Sequence, residues 1–118
     1  MEIRFKLDQW DILSELIFVV DETVFTESLA KEINEFWTGA DERVKQCGSH
    51  IKAALQLYAV ECFQQVAFNN MKDESWVMRQ FDYTKGHGIE GFASFEQAGL
   101  VLYRIDPWGI EFEHVEVD

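Results

Sequence analysis

A chain of 118 residues with 22 acidic and 10 basic side chains carries a formal net charge of −12, a field that repels nucleic acid and anionic lipid and attracts basic protein surfaces. Its 47% apolar and 14% aromatic content excludes a disordered chain, and the length fits one domain, 1–118. The charge is uneven: eleven carboxylates face three cations in residues 1–42, one faces four in 43–72, and ten face three in 73–118.

Glu2–Asp8 sets Ile3, Phe5 and Leu7 in alternation with charged residues, the period of a strand with one wet face. Ser14–Val20 contains Leu16-Ile17-Phe18-Val19-Val20, apolar on both faces as a central strand would be. The short link between the two predicts a hairpin. A helix is expected after Thr26, a good N-cap with Glu27 beside it. Its apolar stripe is Leu29, Ile33, Phe36 and Trp37. Thr38-Gly39 breaks the pattern, and Asp41-Glu42 opens a second helical stretch running to Asn69-Asn70. Gly48 marks a kink or a second start at Ser49. Val44, Cys47 or Gly48, Ile51, Leu55, Tyr58, Cys62 and Val66 form the main stripe, with Ala53, Leu57 and Val60 off it, so this is the central helix. Strands are expected again over Trp76–Tyr83, Leu100–Ile105 and, after Pro107, Ile110–Val117. The order β-β-α-α-β-β(-β) gives an α+β fold, an antiparallel sheet with two helices packed on one face. Leu16, Phe18, Leu29, Ile33, Phe36, Ile51, Leu55, Tyr58 and Val66 are its expected core.

Cys47 and Cys62 would stand about 22 Å apart on a continuous helix, beyond disulfide reach. Two isolated thiols suit a reducing compartment. The opening MEIRFKLD has no apolar signal core, and no apolar run approaches the roughly 20 residues needed to span a bilayer. A cytoplasmic protein without membrane contact is expected.

Gly86-His87-Gly88-Ile89-Glu90-Gly91 spells a dinucleotide fingerprint, but only Phe92–Ala98 separates it from the next strand, too little for a crossover helix. A turn-rich surface loop is expected there. His50, His87 and His114 give no metal spacing beyond Cys47-x-x-His50, half a site. Asp82, His87 and Glu90 could converge on a cation in the loop, and are read in preference as solvated turn residues. No serine stands in a nucleophile elbow, and the cysteines lack a base partner in sequence. No enzyme activity, metal or cofactor is expected.

Trp10, Trp76, Phe92, Phe95, Tyr103, Trp108 and Phe112 cluster in or near the strands and the late loop. Helices cover only one sheet face, so the other needs the Gly86–Ala98 loop, the C-terminal segment or a second chain. The last option would make a homodimer, or a sheet that binds a partner.

Lys31-Glu32-Ile33-Asn34-Glu35-Phe36-Trp37, Gly48-Ser49, Phe81-Asp82-Tyr83 with Gly86-x-Gly88-x-Glu90-Gly91-Phe92, and Gly99 with Ile105-Asp106 together resemble a small family of phage, prophage and plasmid proteins, a domain of unknown function. The resemblance covers about residues 19–106. Phe92 stands where the family tends to have tryptophan, and the C-terminal tail does not match. What the resemblance implies is a mobile-element origin, with no catalytic residues to carry over.

An acidic mobile-element protein is expected to act by binding a host protein with a basic surface, inhibiting or modulating a system such as CRISPR or restriction, and not by binding nucleic acid itself. The expected partner-binding residues are Glu111, Glu113, Glu116 and Asp118, with Trp108, Phe92 and Phe95. Along an extended strand the four carboxylates would recur at spacings of roughly 7–10 Å, a row that can imitate a phosphate backbone. The alternatives are a small-molecule-binding or accessory enzyme role for the Gly86–Phe92 loop, and a structural homodimer with no ligand.

Overall fold

The architecture is taken from a computed structural model, which describes residues 1–9, 12–69 and 73–106. Strands β1 (Glu2–Gln9) and β2 (Ile12–Val20) form an antiparallel hairpin in which Phe5 faces Leu16 and Ile3 faces Phe18. Strand β3 (Leu100–Ile105) joins the other side of β2, also antiparallel, giving the order β1-β2-β3. The central place of β2 explains its two apolar faces. One face of the sheet carries cross-strand rows such as Phe5–Leu16–Ile105 and Ile3–Phe18–Leu102, and these enter the core. Across the other face run Arg4–Ile17–Arg104 and Glu2–Val19–Val101. The register shifts between Ile17 and Phe18, so Tyr103 is the extra residue of a bulge.

Among the described residues five α-helices lie between or beside the strands. Helix α1 (Glu27–Phe36) starts where the Thr26 hydroxyl oxygen accepts the Leu29 N–H at 3.3 Å, the N-cap that the sequence indicates. Helix α2 (Ala40–Cys47) ends at Gly48, and α3 (His50–Asn69) begins with the Ser49 hydroxyl accepting the Lys52 N–H at 3.1 Å. The break at Gly48 is thus a full restart and not a kink. Helix α3 buries Leu55, Tyr58, Cys62 and Val66 in one core with Leu16 and Phe18 of the sheet. Leu29 and Ile51 pack at its margin.

Two expectations are corrected here. Trp76–Tyr83 is not a strand: Glu74–Arg79 is helix α4, followed by a 3-10 turn at Tyr83–Lys85. Asp73 caps it by accepting the Trp76 N–H at 3.2 Å, and Val77 and Phe81, four apart, are both fully buried, a helical and not an alternating period. Helix α4 lies along the edge of β3. The Ile105 N–H donates to Glu74 Oε1 and the Leu102 N–H to Met78 Sδ, each at 3.3 Å, so a helix covers an edge that would otherwise invite another strand. Phe36, expected in the core, is 52% exposed because α1 ends at it. The expected strand Ile110–Val117 lies outside the described residues.

A four-residue helix α5 (Phe95–Ala98), closed by a capping box between Ser94 and Gln97, leads into β3. The late loop therefore turns its rings inward. Tyr58 is the hub: its ring centroid lies 4.6 Å from Phe92 and 5.5 Å from both Phe81 and Phe95, and its hydroxyl donates to the Ala93 carbonyl at 2.8 Å. The loop is thus committed to the helix side of the sheet. On the other side Val101 and Tyr103 stay 49% and 65% exposed.

Candidate functional site

Asn34, fully buried, sits on the apolar stripe of α1, and a buried amide must find partners. Arg43 of α2 supplies them. Its Nε donates to Asn34 Oδ1 at 2.8 Å, its Nη2 to the carbonyls of Asn34 and Trp37 at 3.0 and 2.8 Å, and its Nη1 to the Thr38 carbonyl at 2.7 Å. The Asn34 amide in turn donates to the Ala40 carbonyl and lies 3.2 Å from His50 Nδ1. A cation set on the open carbonyls of a helix C-terminus is favourable. The guanidinium therefore locks the α1–α2 corner and is not a free surface charge. The only signal in sequence was a polar residue inside an apolar stripe.

That corner holds Phe36 and Trp37 against the loop. Trp37 lies 5.6 Å from Phe92 and 5.2 Å from Phe36, ring to ring. Gly91, at φ +89°, passes beneath the Phe36 ring, where any side chain would collide with it; Gly88, at φ +120°, is covered in the same way by Tyr83. At Gly88 and Gly91 the space that a glycine-rich ligand loop would leave open is filled by the chain's own rings. Asp82 ties the loop down, its carboxylate accepting the Thr84 N–H at 2.9 Å and the Thr84 hydroxyl at 2.6 Å. These two bonds hold its carboxyl below the ordinary aspartate range. The motif stretches of α1 and of the loop, far apart in sequence, are two sides of one aromatic junction.

The predicted site residues fall in different places. Glu111, Glu113, Glu116, Asp118 and Trp108 lie outside the described residues. Phe92 and Phe95 are 6% and 4% exposed and serve the core, so their rings are not offered to a partner; burial against Tyr58 claims them. His50 and Cys47, the half-site, turn to different partners, Asn34 and Gln56. Among the described residues no three His, Cys, Asp or Glu side chains come together as a cation site. Burial pushes the Cys62 thiol well above its ordinary range, away from nucleophilic reactivity.

A surface that the sequence reading passed over is the outer side of the α1–α2 corner. Glu32 and Glu35 of α1 and Asp41 and Glu42 of α2 are exposed, as are Asp21 and Glu22 in the turn before α1 and Glu27 at its start. Two exposed lysines stand among them, Lys31, which pairs with Glu35 at 3.7 Å, and Lys45 of α2. A depression of about 530 Å³ opens between Glu35, Trp37, Asp41, Glu42 and Lys45. The signal was present in the charge count of residues 1–42. What hid it was the more regular spacing of the tail carboxylates.

The family described as "Protein of unknown function (DUF2528)" matches residues 16–117. Protein ea10 of Escherichia phage lambda is 28% identical over 109 residues, which cover 92% of this chain and 88% of that protein. The lambda prophage-derived protein ea10 of Escherichia coli is similar to the same extent. No solved structure matches. Among the described residues no helix is long and apolar enough to cross a membrane.

Proposed function

We propose that this chain, which belongs to the DUF2528 family and is related to phage lambda proteins, acts in the host cytoplasm by binding a basic protein surface, without catalysis. The observation that carries the reading is the excess of exposed carboxylates on the turn before α1, on α1 and at the start of α2, seven against Lys31, which is paired with Glu35, and Lys45. A predominantly acidic face on a rigid scaffold steers a basic partner and rejects nucleic acid and like-charged proteins. Arg43 makes the scaffold rigid by fixing the two helices to each other. The expected targets are proteins whose own ligand is a polyanion, such as CRISPR or restriction complexes, whose phosphate-binding groove an array of carboxylates can occupy. The acidic tail, with Glu111, Glu113, Glu116 and Asp118, would extend the same field.

The test begins with capture of partners from host lysate and continues with the purified pair. Affinity should fall steeply between low and high salt. The variant Glu22→Gln, Glu32→Gln, Glu35→Gln keeps the helix-capping acids Glu27, Asp41 and Glu42 in place, and it should weaken binding and flatten the salt slope. A partner bound equally well by that variant, with an unchanged slope, would refute the acidic-corner reading.

A further inference from the structure

Helix α3 carries apolar side chains right round its girth, the pattern of a helix covered on all sides, yet one row of it is bare. Lys52, Val60, Gln64 and Phe68 are exposed, Phe68 by 82%, and half-buried Gln56 completes the row at four-residue steps. Read from either end, this row is matched to itself. About Val60 as centre, Gln56 mirrors Gln64 and Lys52 mirrors Phe68. The Cys47 thiol donates to Gln56 Oε1 at 3.4 Å, which leaves the Gln56 amide hydrogens unclaimed, and Gln64 has no hydrogen-bond partner among the described residues. Lys52 has no carboxylate within ion-pair distance among them.

We infer that this row is the contact between two copies of the chain, packed as antiparallel α3 helices inclined at about 50°, the crossing at which two rows of four-residue steps run together, about a two-fold axis at Val60. A two-fold contact requires that residue i meet j and j meet i, and the row meets that condition with complementary chemistry in every layer. Val60 packs on Val60 of the second copy. The Gln56 amide of each copy donates to the Gln64 amide oxygen of the other. The Lys52 ammonium of each lies on the Phe68 ring of the other, a cation on the negative face of a π-system. The row from Lys52 to Phe68 spans about 24 Å. A contact of one helix pair stands at the small end of stable interfaces, where dissociation constants of about 1–100 µM are expected.

Sedimentation equilibrium from about 1 to about 500 µM covers that range. The weight-average mass of the whole chain should rise with concentration toward twice 13.8 kDa. Val60→Lys places like charges on the axis and Phe68→Lys places them opposite Lys52; each should weaken dimerisation at least tenfold, with the circular dichroism unchanged because both positions are exposed. Lys52→Glu combined with Phe68→Lys should restore it, which a general loss of apolar surface would not do. A wild-type chain that stays monomeric throughout would overturn the inference. So would a dimer that both single variants leave intact, and one that survives Val60→Lys but disappears when residues 107–118 are deleted would move the contact away from α3.

Discussion

The Phe36 ring lies over the backbone of Gly91, and this contact, with the Trp37–Phe92 ring pair, joins the end of α1 to the loop that enters the core at Phe92. Gly91 holds φ +89°, a conformation that costs an L-residue roughly 1–2 kcal/mol before any collision is counted. Gly91→Ala should therefore lower stability by about 2–4 kcal/mol, read as a shift of the urea midpoint at constant slope. Phe36→Ala in the same chain should recover part of the loss, since it removes the ring and leaves the backbone strain. A loss below about 0.5 kcal/mol would mean that the loop passes Phe36 some other way.

Arg43 differs from an ordinary surface cation because all its partners are neutral oxygens. Arg43→Ala strands the buried Asn34 oxygen and opens the α1 carbonyls, so about 2–4 kcal/mol should be lost. Arg43→Lys should recover little, because one ammonium cannot reach four acceptors set for a planar fork. The size of the loss should be the same at low and high salt. A strongly salt-dependent loss would point to an ion pair in place of this carbonyl network.

Burial holds the Tyr58 hydroxyl and the Cys62 thiol in their neutral forms, raising both above their ordinary values. A group raised on folding gives stability that is complete below its unfolded pKa and is lost as pH rises toward the folded one. Stability should then be flat from neutral pH to about 8.5 and decline above it, first through the thiol and from about 10 through the phenol. Tyr58→Phe removes one of these losses along with the bond to the Ala93 carbonyl. It should cost about 0.5–1.5 kcal/mol at pH 7 and narrow its deficit above pH 10. A deficit that stays constant to pH 11 would mean that Tyr58 ionises freely in the folded chain.

The hairpin, the Thr26 cap, the restart near Ser49 and β3 were legible because each follows from a local rule of period, capping or glycine. Leu55 and Tyr58 were legible as core for the same reason, and Leu55→Ala should cost about 2–5 kcal/mol in the same urea assay. Helix α4 was missed because Trp76, Val77 and Met78 read as a β-rich run, while its decisive feature, the Asp73 cap feeding Val77 and Phe81, needs the core for its meaning. Phe92 and Phe95 were read as surface because short apolar stretches do not say which way they face. The acidic corner needed the fold. Its carboxylates come from a turn and two helices, and the angle set by Arg43 and Asn34 is what brings Glu35 of α1 beside Asp41 and Glu42 of α2.

That corner also bears on the stability of the isolated chain. Like charges held together in the folded state repel one another, and the repulsion is relieved in the expanded chain. Glu22, Glu32 and Glu35 are exposed on α1 and the turn before it, and the pair of Glu35 with Lys31, itself exposed, contributes little. Raising salt from about 0.01 to about 0.5 M shortens the screening length from roughly 30 Å to below 5 Å. The melting temperature of the wild-type chain should therefore climb over that range. Glu22→Gln, Glu32→Gln, Glu35→Gln should start higher and climb less, the two chains converging at high salt. If both climb in parallel, the repulsion resides elsewhere among the 22 carboxylates, and deleting residues 107–118 is the next variant to melt.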